Sequence, residues 1–348
     1  TGSVHEQGEA LDPRVSRVGL AHWQQRPAWR KALAYGLALV QTWGALLTRY
    51  RRHEVLFISI PPMAYLLSLI LPNRCSVLVW DVYPDIFEVT GMSQTHWFYR
   101  LWAALNRRAF RRMGRIFTIS EPMRELLGAY TDLGKVRVTP IWSIFDGSER
   151  IASSDNVFLG ESAQRRNRFI VQYSGNLGIT HNVDVLLDLA DRLKDDPRFL
   201  IQIIGRGPRE PAIREAIEAR GLGNIEMLPF QSDERFVHSL SAADVGVVAL
   251  NPRVSRGSVP SKAYNLMAFG IPALYIAAED SELSRYAREL GTGERFEVDD
   301  PAGMAAYVRG LADDPQRYAR LQRQAQQAAT QFSRGNADRF VDAYLSDD

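Results

Sequence analysis

A single cysteine, Cys75, stands in 348 residues. An internal disulfide framework is therefore excluded, and the chain suits a reducing compartment such as the cytoplasm. Cys75 precedes the apolar run Ser76–Trp80 and reads as a buried structural thiol. Six scattered histidines with no cysteine cluster argue against a structural zinc site. No apolar stretch reaches the roughly 20 residues of a bilayer span. The longest, Ala32 to Leu47, is 16 residues and contains Gln41 and Thr42. Arg30, Lys31, Arg49, Arg51 and Arg52 bracket it within the segment 29–53. A packed domain helix and an interfacial helix touching lipid both fit that pattern. Internal repeats and low-complexity tracts are absent as well, and no stretch of the given sequence reads as a signal peptide. No GxGxxG follows a first strand, which speaks against a dehydrogenase. A net charge of +2 with no basic tract gives no reason to expect a nucleic-acid partner.

One sign of charge is missing locally. Between Glu88 and Glu121 there is no acidic residue, while Arg100, Arg107, Arg108, Arg111, Arg112 and Arg115 all fall there. Trp97, Phe98, Tyr99, Trp102 and Phe110 are interleaved with them. Such a stretch is either a solvated face or a surface for an anionic membrane. The imbalance extends to the whole first half: residues 1–150 carry 19 Lys and Arg against 12 Asp and Glu. The remainder carries 23 against 28. The first half is thus the one expected to face something anionic.

What is present is the composition of a soluble globular protein, 46% apolar and 24% charged, in a chain long enough for two domains. Strand-like runs at 55–60, 76–80 and 115–119 alternate with helical patterns at 63–71 and 97–113, and Ser120 is placed to cap a further helix. After the polar run 147–168, strands at 169–174, 199–204, 225–228, 244–249 and 273–276 alternate with helices at 183–194, 209–220, 232–240 and 260–269. The alternation implies parallel sheets covered by helices on both faces. The domains are expected at 1–148 and 149–348.

In such a sheet, ligands bind at the carboxyl ends of strands. Gly175-Asn176-Leu177-Gly178 lies between a strand and a helix, and its glycines allow a diphosphate to approach the backbone. The same pattern also suits any tight turn. Gly205-Arg206-Gly207 is similar, with Arg206 able to reach a phosphate, stack on a base or simply face solvent. Pro229-Phe230-Gln231 either offers backbone groups to a base edge or is only a turn with a buried Phe. Gly257 and Ser258 make a loop, Pro260 suits a first helical turn, and Ser261 and Lys262 sit beside the opening of that helix. Unpaired N–H groups there attract an anion, and Lys262 adds a full charge.

The segment 259–274, VPSKAYNLMAFGIPAL, resembles the donor-site loop and helix of family-4-type retaining glycosyltransferases, in the bacterial surface-polysaccharide branch with a PSK donor-site motif. Four further blocks agree in order: Tyr173–Gly178, Ile204–Pro208, Leu228–Gln231 and Ala242–Gly246. Thr139–Asp146 resembles the family's interdomain segment. The resemblance implies an α/β protein of GT-B-like form, two Rossmann-like domains whose parallel sheets face a cleft. Residues 1–148 would bind the acceptor, a glycan or a polyprenyl-linked sugar, and 149–348 a nucleotide-diphosphate sugar, with a UDP-sugar expected. It also implies hexosyl transfer with retention, with no cofactor beyond the donor. No DxD motif stands where a magnesium would be held, so metal-independent transfer is expected.

Two departures from the family bear on the site. The usual acidic pair, eight residues apart, falls on Gly257 and Asn265, of which Asn265 can still hydrogen-bond a ribose hydroxyl. The usual Arg and Lys of the first Gly-rich loop fall on Asn176 and His181, leaving the diphosphate to Lys262, Arg206 and Arg253 or Arg256. Asp81 ends a first-domain strand that should point into the cleft and is the expected acceptor-side residue, with Tyr83 and Asp85 beside it. Thr1-Gly2 resembles the end of a second strand in the family, so an opening strand–helix–strand is expected to be missing. A nucleotide-sugar epimerase of the same architecture and a non-catalytic sugar-nucleotide binder remain open.

Overall fold

Short runs of β-branched and aromatic residues fold into two separate parallel sheets in a computed structural model that describes residues 12–16, 18–20, 28–145 and 149–346. Thr1 and Gly2, expected as the end of a strand, lie outside the described residues. The first sheet holds β1 (Val55–Ile58), β2 (Cys75–Val79), β3 (Ile116–Thr118) and β4 (Val136–Val138), in that spatial order and all parallel. Helix α1 (Ala28–Leu47) precedes it, and α2 (Trp97–Arg112) and α3 (Glu121–Leu127) cross over between its strands. Ser120 caps α3 as its sequence predicts, its Oγ accepting from the Met123 N–H at 3.4 Å. His96 does the same for α2, its Nδ1 accepting from Phe98 N–H at 3.2 Å. The helix expected at 63–71 is a tighter 3₁₀ segment, Ala64–Leu69.

The second sheet is the larger. Its strands are β5 (Phe169–Asn176), β6 (Phe199–Arg206), β7 (Ile225–Leu228), β8 (Val245–Ala249), β9 (Ala273–Ile276) and β10 (Gly293–Phe296). A single helical turn, α4 (Val157–Gly160), leads in. The crossovers are α5 (Val185–Leu193), α6 (Glu210–Arg220), α7 (Asp233–Ser241), α8 (Lys262–Ala268) and the short α9 (Glu282–Arg285). The spatial order is β10-β9-β8-β5-β6-β7, all parallel. The chain builds outward from β5 to β7, then returns beside β5 with β8 and builds the other way. The reversal opens a crevice above the carboxyl ends of β5 and β8, the place where α/β sheets bind ligands.

Both faces of this sheet are covered, which is why its central strands read as near-continuous apolar runs. All five residues of β8 are buried. Leu186, Leu189 and Leu193 of α5 share one core with Met304, Val308 and Leu311 of α10 (Pro301–Asp313). On the other side Tyr264 and Met267 of α8 share a core with Phe332, beyond α11 (Pro315–Ala329). The last helix, α12 (Gly335–Leu345), packs on the first sheet: the Phe340 ring lies 4.8 Å from that of Phe117. Arg115 fastens it by donating from Nη2 to the Ser346 carbonyl at 2.6 Å.

Two surface features bear on the sequence expectations. In α2, Tyr99, Trp102 and Phe110 are buried and Phe98 half-buried, so of its interleaved aromatics only Trp97 is exposed beside the arginines. In α1, Trp29, Leu33, Leu37 and Val40 are exposed, all at 49% or more. Among the described residues, no helix is long and apolar enough to cross a membrane.

Candidate functional site

The crevice is a cavity of about 390 Å³. Its floor is the end of β5 and its far wall is the start of α8. Gly175, Asn176 and His181 line it from the first side, and Pro260, Ser261, Lys262 and Asn265 from the second. Phe230 stands at its edge, 53% exposed. Eight of the residues marked from the sequence therefore meet in one space.

Lys262 is its electrostatic centre. Its ammonium donates to the Tyr173 hydroxyl at 3.0 Å and lies 4.1 Å from the centroid of that ring. Tyr173 in turn donates to the Asn176 carbonyl at 2.6 Å. Gly175 makes this possible: it adopts φ +153°, and a Cβ there would come within 3.0 Å of Lys262 Nζ. No carboxylate pairs with the ammonium among the described residues, and the side chain is half-buried beside the cavity. Burial alone therefore pushes its pKa down to about 7. A lysine held this way, without a counter-ion, is matched by an anionic ligand.

The surroundings supply neutral donors. Burial, and secondarily the Lys262 charge, lower the pKa of His181 to about 3, so it is a neutral imidazole. One of its nitrogens, Nδ1, is 3.0 Å from Thr180 Oγ1. Asn265 accepts from Ser143 Oγ at 2.8 Å, tying α8 to the segment that joins the two halves. The carbonyl of Asn265 is thereby used, and its amide N–H₂ is the group left to face a ligand.

Sequence reasoning missed Gln172. It lies 3% exposed in the middle of β5, and its Nε2 donates to Gln202 Oε1 at 3.0 Å and to the Ser239 carbonyl at 2.7 Å. Gln202 continues to Glu226, which is held by the buried Arg165 at 2.7 Å. Gln172 is among the residues lining the cavity, and its buried Oε1 has no hydrogen-bond partner among the described residues. The signal was present: Phe-Ile-Val-Gln-Tyr and Phe-Leu-Ile-Gln-Ile each put an amide inside an apolar strand, and the two glutamines are register partners.

Other expectations need correction. Pro260 precedes the helix, whose first residue is Lys262 with Ser261 as its cap and no side-chain capping bond. At seven residues, α8 is also short, so the charge at its opening rests on Lys262 more than on a helix dipole. Ser258 is outside the cavity, in an antiparallel bridge with Asp81. Gly205 is a packing residue: a Cβ would fall 1.9 Å from the Gly175 carbonyl oxygen. Gly178 lies behind the lining, with the Asn176 amide 3.3 Å from the position of its missing Cβ. Arg206 does not line the cavity; it stacks outside on Phe230, 5.5 Å from the ring centroid. Arg253 and Arg256 line a separate groove, and Arg256 pairs with Glu125 and Asp280 at 3.4 and 3.1 Å.

Asp81 does reach the boundary between the halves. Its backbone N–H donates to Ser59 Oγ at 3.1 Å, and Val82 N–H donates to the Gly257 carbonyl at 3.1 Å. Burial raises the Asp81 pKa, and a hydrogen bond from Ser258 partly offsets this. Asp85, four residues on, accepts from the Tyr99 and Tyr130 hydroxyls. Two tyrosine hydroxyls thus hold the Asp85 carboxylate in place.

Two parallel Rossmann-like halves with a ligand crevice at the switch point define the GT-B fold. Anabaena HepE, solved in complex with UDP, superposes with a TM-score of 0.71 at 14% identity, covering 90% of this chain and 83% of HepE. WaaG, a glycosyltransferase involved in lipopolysaccharide biosynthesis, gives 0.70 at 13% identity over 97% of this chain and 89% of WaaG. Residues 158–328 match the family described as "Glycosyl transferases group 1". Among curated relatives, the putative colanic acid biosynthesis glycosyl transferase WcaI of Escherichia coli is 26% identical over 214 residues, 61% of this chain. That match spans about half of WcaI, 52%. The probable glycosyltransferase WbjE of Pseudomonas aeruginosa is 24% identical over 77% of this chain and 68% of WbjE.

Proposed function

We infer that this protein is a retaining glycosyltransferase that moves a hexose from a nucleotide-diphosphate sugar, a UDP-sugar, to a glycan or polyprenyl-linked acceptor in cell-surface polysaccharide synthesis. Residues 149–348 bind the donor and 1–148 the acceptor. One observation carries the reading above all: a half-buried lysine without a counter-ion among the described residues, at the switch point of the half that matches the group 1 family. HepE, with the same fold, is named in complex with UDP and with UDP-glucose, which supports that donor. As the bond to the leaving diphosphate breaks, Lys262 and the N–H groups beside it would meet the growing charge. A full positive charge at that point is why the reading requires no metal ion. Asp81, on the acceptor side of the Ser258 bridge, would orient the incoming hydroxyl. Arg206 and Phe230 would flank the base.

The test is a thermal-shift screen against UDP, GDP and their sugars, followed by turnover with the donor that binds. Stabilisation by UDP and its sugars is expected, rising with the logarithm of ligand concentration. An epimer formed from donor alone would favour the epimerase, and tight binding without any turnover the non-catalytic binder.

The same reading places the protein in the cytoplasm, at the inner face of the membrane, with the basic first half against anionic lipid. Arg100, Arg108 and Arg111 are exposed on α2 next to Trp97 and Leu101. Replacing these three arginines by serine leaves the carbonyl contacts of Arg107 and Arg112 in place. Sedimentation with phosphatidylglycerol vesicles is expected to fall in that variant and in high salt. Wild-type protein that stays in the supernatant would reduce the arginine face to a solvated surface.

A further inference from the structure

A second space opens on the other side of the Asp81–Ser258 bridge. Its walls are the segment 85–94 of the first half and the loop 253–257 of the second. Two cavities there, about 160 and 290 Å³, share Glu88, Gln94 and Arg253 and so form one groove. The loop that forms its second wall continues into Pro260, Ser261 and Lys262 of the donor cavity. Both spaces are thus built on opposite ends of one loop, with Val82 N–H held on the Gly257 carbonyl between them.

The chemistry of the groove differs from that of the donor cavity. Gln94 Nε2 donates to Glu88 Oε1 at 2.7 Å, which orients both the amide and the carboxylate. The Tyr99 hydroxyl, at 2.9 Å, and that of Tyr130 fix Asp85. Arg253 has its backbone N–H on Asn251 Oδ1 at 3.1 Å, while its guanidinium has no ion pair or hydrogen bond among the described residues. Arg256 is taken up by Glu125 and Asp280, so Asp85 and Glu88 stand against one unpaired guanidinium, that of Arg253. Apolar patches come from Ile86, Leu126 and Val254. Oriented acceptors, oriented donors and small apolar surfaces in one place match the vicinal hydroxyls and C–H faces of a sugar ring. An anionic group would lie against Glu88 and Asp85 and be disfavoured by like charge.

We propose that this groove holds the end of the acceptor, a neutral, hydroxyl-rich saccharide unit, with Arg253 and Gln94 donating to its hydroxyls and Glu88 accepting from them. The proposal rests on the glycosyltransferase reading and adds the class of acceptor to it.

Saturation-transfer NMR tests it, with millimolar methyl glycosides of glucose, galactose, mannose, rhamnose and N-acetylglucosamine, and with glucuronate. Saturating UDP is present throughout, so that the donor cavity is occupied. At least one neutral glycoside should receive saturation and glucuronate should receive none. Arg253→Ala and Gln94→Ala should each weaken the bound glycoside about 10-fold, while UDP affinity by calorimetry stays at the wild-type value and reports that the variants are folded. Three results overturn the proposal: no neutral glycoside bound, glucuronate bound as well as the neutral sugars, or binding that survives both substitutions. Failure of UDP itself to bind would remove the donor reading and this inference with it. UDP binding without saccharide binding would remove this inference alone.

Discussion

Lys262→Ala is expected to weaken UDP binding by about 1.5–3 kcal/mol, the range for a hydrogen bond to a charged group. That corresponds to roughly 10- to 150-fold in Kd. The expectation follows from position more than from charge. The ammonium already donates to Tyr173, and the Gly175 backbone leaves it room against the end of β5. It is therefore pre-organised, and a ligand need not order a flexible side chain to engage it. Truncation also leaves the Tyr173 hydroxyl without its donor, but that hydroxyl keeps the Asn176 carbonyl, so the strand end should hold. Isothermal calorimetry at pH 7 checks the claim. Equal affinity for UDP in the variant would take Lys262 out of the site.

The depressed pKa of Lys262 adds a sign. In the free protein it titrates near 7, so about half the molecules carry the charge at that pH. A bound diphosphate favours the ammonium and raises its pKa, so binding takes up a proton above pH 7. UDP affinity should then fall by up to about 10-fold per pH unit above 7 until the pKa of the complex is reached. Buffers of different ionisation enthalpy should report the proton uptake directly. Lys262→Arg, charged throughout, should give a flat profile from pH 7 to 9. A flat profile in the wild type would mean that the lysine is already charged before the ligand arrives.

The second half was far more legible in the sequence than the first, and the reason is physical. Its central strands are buried on both faces, so β8 appears as an unbroken apolar run of five and β5 and β6 as apolar runs interrupted by one glutamine each. β4 and β10 escaped notice because Val136–Val138 is three residues long and Gly293–Phe296 carries Glu294 and Arg295 at a sheet edge. The loops at the switch point were legible as glycine and proline punctuation, and Gly175, Asn176, Lys262 and Asn265, marked in that way, line one cavity. Punctuation does not distinguish a glycine that admits a ligand from one that admits another backbone, and there Gly205 was misread. Nor does it say where a long side chain goes: Arg206 stacks on Phe230 at the cavity's edge, while Arg253 and Arg256 line a separate groove. Ser258 was misread for a third reason, because its partner Asp81 is 177 residues away. Gln172 shows the converse, a polar residue in a buried strand whose meaning emerges only when Gln202, Ser239 and the cavity are placed around it.

Gly205→Ala should damage the fold of the second half before it touches ligand contacts. β5 and β6 run in register to their last residues, with Gly175 opposite Gly205 and Asn176 opposite Arg206. A Cβ at 205 would lie 1.9 Å from the Gly175 carbonyl oxygen and 3.1 Å from its carbon. Those are backbone atoms, so no rotamer change relieves the clash, and the strand ends must separate. Overpacking of this kind costs about 3 kcal/mol. In a domain of this size the midpoint of thermal unfolding should fall by roughly 6–12 °C. Gly223→Ala is the control: nothing lies within 4 Å of its added methyl group and its φ is not positive, so its midpoint should stay within about 2 °C of the wild type. Separated strand ends would also shift Gly175 away from Lys262, so UDP affinity should drop although residue 205 touches no ligand. Differential scanning calorimetry of both variants, with and without UDP, separates the two effects. A Gly205→Ala protein that melts with the wild type would mean that β5 and β6 tolerate a wider spacing above the crevice, and that Gly205 is kept for some contact with the ligand after all.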